Sequence, residues 1–108
     1  MLSKSLYIKG LKCQKLLWLN KNNKAVLTSP DDSAKARFLQ GNKVGSLAHK
    51  LFPDGEEVPF GLSFSKKIAL TQEWLDKGVG TIFEATFEYG GVLVMVDILH
   101  KNADNVYE

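Results

Sequence analysis

The chain has 108 residues and a mass of 12.0 kDa, enough for one small domain with a single core. Hydrophobic residues make up 44% and charged residues 24%, which excludes wholesale disorder, a collagen-like repeat and a disulfide scaffold. The net charge of +2 is too small to indicate a nucleic-acid partner from composition alone. The single cysteine, Cys13, excludes an intramolecular disulfide and an all-cysteine metal site. Because no signal-peptide or membrane-span pattern is present, we expect a cytoplasmic protein without a membrane partner.

The first predicted element is a helix that begins at residues 3–5, where Ser3 and Ser5 can cap it, and ends in the polar cluster 20–23. A second helix is predicted from residues 30–33 to about Leu51, with acidic residues near its start. Gly41 and Gly45 leave two alternatives for this helix. Either the helix breaks near Gly41, or the glycines allow close packing against another element.

Residues 52–55 predict a turn, and residues 56–62 are irregular or form a short extended piece. A third helix is predicted to begin at Ser63 or Ser65 and to end at Lys77 and Gly78. Its apolar residues recur at helical spacing, which predicts that Trp74 belongs to the core. The same interpretation is given to Trp18 in the first helix.

The last quarter of the sequence changes from helical to alternating periodicity. Residues 81–89 and 92–99 alternate as two strands, and Gly90-Gly91 between them is a two-residue hairpin signal. The sequence therefore predicts a single α+β domain over residues 1–108, with about three helices in residues 1–78 and an antiparallel β-hairpin in residues 79–108.

The hairpin register brings two carboxylates together. A turn at Gly90-Gly91 places Glu84 directly opposite Asp97 on the same face. Like charges in that arrangement destabilise an ordinary sheet, but they are useful if a cation lies between them or if one carboxyl is protonated. Two alternatives stay open at this point. The face is simply solvated with Asp97 paired to a lysine, or a bulge shifts Glu84 out of line.

Three further side chains are candidates for chemistry. His49 on the second helix is a surface residue or a ligand, and His100 is expected to be exposed and is assigned no role. Cys13 is a buried small hydrophobe or a ligand. The N-terminal lysines are a solvated helix face that could touch phosphates, although nothing in their spacing demands it.

Three segments together resemble RecB-like nuclease domains of the PD-(D/E)XK superfamily. Residues 2–13 resemble the opening helix of those domains, and residues 44–53 resemble their first motif, in which a glycine is followed four residues later by a histidine. Residues 81–87 and 96–99 resemble the strand pair that carries the metal-binding aspartate. Similar regions occur at the N-terminus of uncharacterised bacterial proteins that carry a further domain behind them.

The resemblance implies a fold that is the first half of a restriction-endonuclease-like domain, and a hydrolase that cleaves phosphodiester bonds in DNA or RNA with Mg²⁺ or Mn²⁺. Asp97 would be the metal-binding aspartate, His49 an additional ligand, and Glu108 the glutamate of the Glu-x-Lys motif. Glu84 is added to this metal set from the strand pairing, not from the motif. Some members of the superfamily bind an iron–sulfur cluster through an early cysteine. Cys13 would correspond to that cysteine if this chain were part of a longer protein.

Two departures from the family pattern shape the expectation for this chain. The sequence stops at Glu108, so the motif lysine is missing, and Cys13 has no further cysteines with which to hold a cluster. We therefore expect a domain truncated at its C-terminus and inactive alone, with nucleic acid as the partner of the full-length protein. The alternatives are a non-catalytic binding module that forms a homodimer through an exposed sheet edge, and an acid–base enzyme that uses Glu84 and Asp97.

Overall fold

The computed structural model describes the whole chain, Met1–Glu108, as four helices and a four-stranded mixed sheet, so the predicted α+β class is confirmed. The elements in chain order are β1 (Leu2–Ser3), α1 (Lys4–Lys12), α2 (Gln14–Asn22), α3 (Asp32–Leu51), β2 (Glu56–Glu57), α4 (Phe64–Asp76), β3 (Thr81–Tyr89) and β4 (Val92–His100). A short 3₁₀ turn, Lys24–Val26, follows α2. None of the four helices combines the length and the apolar character that crossing a bilayer requires.

The predicted hairpin forms the centre of the sheet, whose strand order is β1-β4-β3-β2. β3 and β4 are antiparallel, and Tyr89 pairs with Val92 at the turn as predicted. Gly90 and Gly91 have φ angles of 57° and 78°, which are the left-handed values that a tight two-residue hairpin turn requires. The local sequence signal was therefore sufficient to set the register of the two longest strands.

Short segments cover parts of both outer edges of the hairpin. β1 runs parallel to the start of β4, and β2 runs parallel to the start of β3. At the far end of β4, the main chains of His100 and Glu108 exchange two hydrogen bonds of 2.9 Å. No strand pairs with residues 94–99 on the outer side of β4. Homodimerisation through a sheet edge stays a prediction.

The single first helix predicted from the sequence is wrong, because the chain forms two helices separated at Cys13. Ser3 caps α1 as expected, since its hydroxyl accepts a hydrogen bond from the Leu6 amide at 3.4 Å. Cys13 then adopts an extended conformation with φ of −162°, which ends α1 and starts α2. The two helices pack at Gly10, where a Cβ would lie 2.9 Å from the Leu17 side chain. The absence of a side chain at Gly10 therefore permits this contact.

The long helix α3 is continuous, so neither alternative considered for its glycines is correct. The Asp31 carboxylate accepts a hydrogen bond from the Ala34 amide at 2.7 Å and caps the helix. The helix continues through Gly41 and Gly45, and no other part of the chain lies within 4 Å of the Cβ position at either glycine. Only the C-terminal end of α3, near His49, makes ring contacts with the sheet.

Helix α4 contributes part of the cover for the small core. Val58, Ile82 and Ala85 are fully buried, and Trp74 packs against them as predicted. Gly78 ends the helix with φ of 73°, as expected for a C-terminal glycine. The further partly buried residues packed against this core are Leu70, Leu75, Val79, Phe87, Val96 and Leu99.

One buried hydrogen bond joins α4 to β3. The hydroxyl oxygen of Thr71, which is 1% exposed, accepts from the main-chain amide of Thr86 at 2.9 Å. β2 does not extend to this part of β3, so the threonine takes the place of a neighbouring strand. Loss of the hydroxyl would leave a buried amide without a partner.

We therefore expect Thr71→Val to lower the free energy of unfolding by about 1–3 kcal/mol, because it keeps the shape and removes the acceptor. The measurement is urea unfolding monitored by circular dichroism. Thr28→Val, at an exposed position, is the control and should change the free energy by less than about 0.5 kcal/mol. Equal effects of the two substitutions would show that the Thr71–Thr86 bond does not hold α4 to the sheet.

Candidate functional site

Glu84 interrupts the regular alternation of β3. Its φ angle is +58°, in the left-handed region that non-glycine residues rarely adopt. In a regular strand Ile82 and Ala85 would point to opposite faces, yet both contribute to the same buried cluster with Val58. The Thr86 hydroxyl donates to the main-chain oxygen of Glu84 at 3.0 Å and supports the distorted backbone.

The interruption does not shift the register of the hairpin. Phe83 pairs with Ile98 and Ala85 pairs with Val96, so the count on both sides still puts Glu84 opposite Asp97. Glu84 itself is not part of the regular ladder. The bulge considered from the sequence is therefore absent, because β3 contains no extra residue, and the irregularity at Glu84 is a local change of backbone conformation.

Glu84 and Asp97 line one cleft of about 890 Å³ between the C-terminal half of α3 and the sheet. His49 and Glu57 line the same cleft, so it holds four titratable side chains. Three of the four were predicted from the sequence as members of one site. Helix α3 contributes a wall of small residues on the opposite side, including Gly41 and Gly45. Because these residues have short side chains, the carboxylates of Glu84 and Asp97 stay accessible from solvent.

The electrostatic environment of Glu84 is unfavourable for its charged form. Burial raises the pKa of the Glu84 carboxyl above its ordinary value of 4.5, and the neighbouring Asp97 raises it further. Glu57 acts in the same direction on this pKa, while Lys67 and His49 oppose it. The two bases therefore offset only part of the repulsion among three carboxylates.

Two contacts hold the ring of His49 against the wall of the cleft. The ring stacks on Phe83 with the centroids 3.9 Å apart and the planes at 19°. Its Nδ1 lies 3.9 Å from a carboxylate oxygen of Glu57. His49 is thus a fixed member of the cleft, on a helix that otherwise makes few contacts with the sheet.

Two residues that act on Glu84 were not predicted from the sequence, Glu57 inside the cleft and Lys67 outside it. Glu57 lines the cleft because β2 pairs with β3 next to Phe83. This parallel pairing joins distant parts of the sequence, and a strand of two residues is too short to give a recognisable sequence pattern. Lys67 is 5% exposed on α4, and its amine lies 5.1 Å from the centre of the Phe60 ring. Its position after a capping serine resembles an ordinary exposed helix lysine, so the sequence carries no signal of its burial.

The structure does not bring Glu108 or Cys13 into the cleft. The main chain of Glu108 is held beside His100, and its carboxylate does not line the cavity. Cys13 is exposed at the junction of α1 and α2. The roles that the family resemblance implies for Glu108 and Cys13 stay predictions.

The expectation that His100 is exposed is wrong. Its ring is partly buried beside Phe52, with the ring centroids 4.6 Å apart. Its Nδ1 lies 2.8 Å from the Thr81 hydroxyl. These contacts give His100 a structural explanation at the end of the hairpin.

The cleft offers few side chains that could bind a hard divalent cation. No three histidine, cysteine, aspartate or glutamate side chains are placed so that they could jointly hold a metal ion. Glu84 and Asp97 nevertheless provide two carboxylates on neighbouring strands. Mg²⁺ commonly takes only one or two carboxylates from a protein and fills its other positions with water and phosphate oxygens. The chemistry of this pair therefore fits such an ion.

A scan against family models, a search of curated proteins and a search of solved structures each find no match to the chain. The resemblance to RecB-like nucleases consequently rests on its short sequence motifs.

Substitution of Glu84 by glutamine tests the electrostatic environment of the cleft. A carboxyl whose pKa is raised by folding contributes stability below its unfolded value of 4.5, and this contribution is lost as the pH rises through the folded pKa. We expect Glu84→Gln to have a higher free energy of unfolding than the wild type at neutral pH, and the difference to disappear below pH 4.5. The measurement is urea unfolding across a pH series.

Glu56→Gln is the matched control, because it removes one charge from an exposed glutamate outside the cleft. It should show no comparable gain at neutral pH. A loss of stability for Glu84→Gln at neutral pH, or a gain that grows on acidification, would contradict the proposed repulsion between Glu84 and its neighbours.

Proposed function

We propose that the cleft binds Mg²⁺ or Mn²⁺ between Glu84 and Asp97 and that it serves the hydrolysis of phosphodiester bonds in nucleic acid. The observation that carries the proposal is the opposition of these two carboxylates at a distorted point of β3, in an open cleft. Like charges in this position destabilise the sheet unless a cation neutralises them. Strain and repulsion in one place are typical of functional sites.

Each residue of the cleft has a role in this proposal. Glu84 and Asp97 would hold the cation, and a bound divalent cation would supply Lewis-acid polarisation of the phosphodiester and activation of water. His49 faces the same cavity with its ring orientation fixed by Phe83, and it can hydrogen-bond a phosphate oxygen or take up a proton. A carboxylate oxygen of Glu57 lies 3.9 Å from Nδ1 of His49, on the same wall of the cleft.

The sequence motifs agree with this assignment in two respects. Asp97 and His49 are two of the three residues for which the nuclease resemblance implies metal binding, and both line the cleft, whereas Glu108 does not. Lys67 supplies a positive charge near Glu84 from α4, but it does not line the cavity. The proposal therefore gives Lys67 the role of offsetting the carboxylate charge, and it gives no role in the reaction to Glu108.

Titration with Mn²⁺ followed by NMR tests the metal site directly. We expect paramagnetic broadening to begin at the amides of Glu84 and Asp97 and to spread to His49. The double variant Glu84→Gln/Asp97→Asn should weaken Mn²⁺ binding by at least about tenfold, because both oxygen ligands are lost. The chain lacks the motif lysine, and any cleavage of a labelled oligonucleotide that it shows in the presence of Mn²⁺ should be lost in the same double variant.

The control is Glu56→Gln/Asp104→Asn, which removes the same two charges from exposed residues outside the cleft. It should leave the titration unchanged. If Asp97 shows no broadening in the wild type, or if the control weakens binding as much as the cleft variant, Mn²⁺ does not bind at the proposed site.

A further inference from the structure

The basic residues of the chain are concentrated at one end of the sequence. Residues 1–30 contain six lysines and no acidic residue, whereas ten of the 12 acidic residues follow Pro53. The modest net charge of +2 therefore conceals two regions of opposite sign. The basic region comprises α1, α2 and the 3₁₀ turn, and four of its lysines lie on the two helices between Lys4 and Lys15.

The positive charge of this region is not neutralised within the chain. The ion pairs of the structure join Lys35 to Asp32, His49 to Glu57 and Lys77 to Glu73, and none involves residues 1–30. Lys9 alone has a polar side-chain partner, Asn20, at 2.8 Å. A concentration of unpaired like charges attracts a polyanion and is otherwise unfavourable.

Trp18 adds an aromatic surface to the basic region. The expectation that it belongs to the core is wrong, because its residue surface is 59% exposed. Leu17 and Asn20 face α1 through their contacts with Gly10 and Lys9, so Trp18 lies outside the helix–helix contact. Its indole ring is consequently available for stacking.

Lysines flank Trp18 on the same face of α2. Lys15 precedes it by three residues and Lys21 follows it by three, and both are exposed. Positions three residues apart are neighbours on a helix surface. On α1, the exposed ring of Tyr7 lies three residues after Lys4 in the same relation. Both helices thus present an aromatic ring beside lysines.

We propose that the basic aromatic surface of α2, formed by Lys15, Trp18 and Lys21, binds single-stranded nucleic acid. Lysines spaced around exposed rings match a strand whose phosphates follow the cations while unpaired bases stack on the aromatic faces. A duplex keeps its bases stacked on each other and gains only the phosphate contacts. The inference rests on the proposed function for its choice of polymer, and it assigns binding to a surface separate from the carboxylate cleft.

The test measures binding of the full chain to a labelled oligothymidylate of about 12 nucleotides by fluorescence anisotropy in EDTA. Trp18→Ala should weaken this binding about tenfold, while Trp18→Phe, which keeps a stacking ring, should retain most of it. Neither variant should change the affinity for a duplex of the same length. Lys15→Gln/Lys21→Gln should reduce the slope of log K against log salt by about 1.4.

Lys66→Gln is the matched charge control, since Lys66 is exposed on α4 at a distance from the basic region in sequence. It should leave both the affinity and the salt slope unchanged. Because EDTA removes divalent cations, strand binding measured in this way does not require a metal ion in the cleft. Failure of metal binding and failure of strand binding are therefore distinguished.

Several results would overturn the inference. The first is the absence of oligonucleotide binding. The second is an equal affinity of Trp18→Ala and the wild type for the oligonucleotide. The third is a loss of salt slope in Lys66→Gln equal to that in Lys15→Gln/Lys21→Gln. Light scattering provides the remaining test. A salt-sensitive dimer that the oligonucleotide does not dissociate would assign the basic surface to the acidic region of a second copy.

Discussion

Hydrogen bonding between β3 and β4 organises the chain, because β1, β2 and α4 each attach to one of these two strands. The ladder is interrupted where Glu84 adopts a left-handed conformation, which costs roughly 1–2 kcal/mol for a residue other than glycine. The distortion turns Ala85 towards the same core as Ile82, so α4 can cover both. One local conformation therefore links the packing of the core to the position of a carboxylate in the cleft.

Two unfavourable features coincide at Glu84. Its backbone is in a sparsely populated region, and its carboxyl is partly buried opposite Asp97, which raises its pKa. Proteins retain such conflicts with local preference mainly where function requires them. In the proposed function, a divalent cation would relieve the electrostatic part of this conflict.

The proposed cleft and the basic aromatic surface are connected through β4. β1, which immediately precedes α1, pairs with the start of the strand that carries Asp97. The acidic residues concentrated in the second half of the chain attract cations, and the lysines of the first half attract phosphates. The proposed metal-dependent phosphodiesterase would need both attractions, and separate parts of one small fold would provide them.

Local signals in the sequence predicted much of the fold. Alternation and the Gly90-Gly91 pair identified the hairpin and its register, and caps and apolar spacing identified α3 and α4. The break at Cys13 was missed because helical spacing continues across it. The left-handed backbone at Glu84 was also missed, since the alternating pattern runs through it without a glycine.

The candidate site was predicted only where short-range geometry determined it. The opposition of Glu84 and Asp97 follows from a two-residue turn, so the sequence was sufficient. Glu57 and Lys67 depend on long-range packing of β2 and α4, which no local pattern encodes. The exposure of Trp18 likewise depends on which face of α2 packs against α1, and hydrophobicity alone favoured the wrong interpretation.

The central claim is that Glu84 and Asp97 jointly hold one divalent cation. A crystal soaked in Mn²⁺ and measured for anomalous scattering tests it most directly. The account predicts a single strong peak within bonding distance of a carboxylate oxygen from each residue, at about 2.0–2.2 Å. A well-ordered cleft with no anomalous peak between the two carboxylates, at an Mn²⁺ concentration that labels other sites, would contradict it.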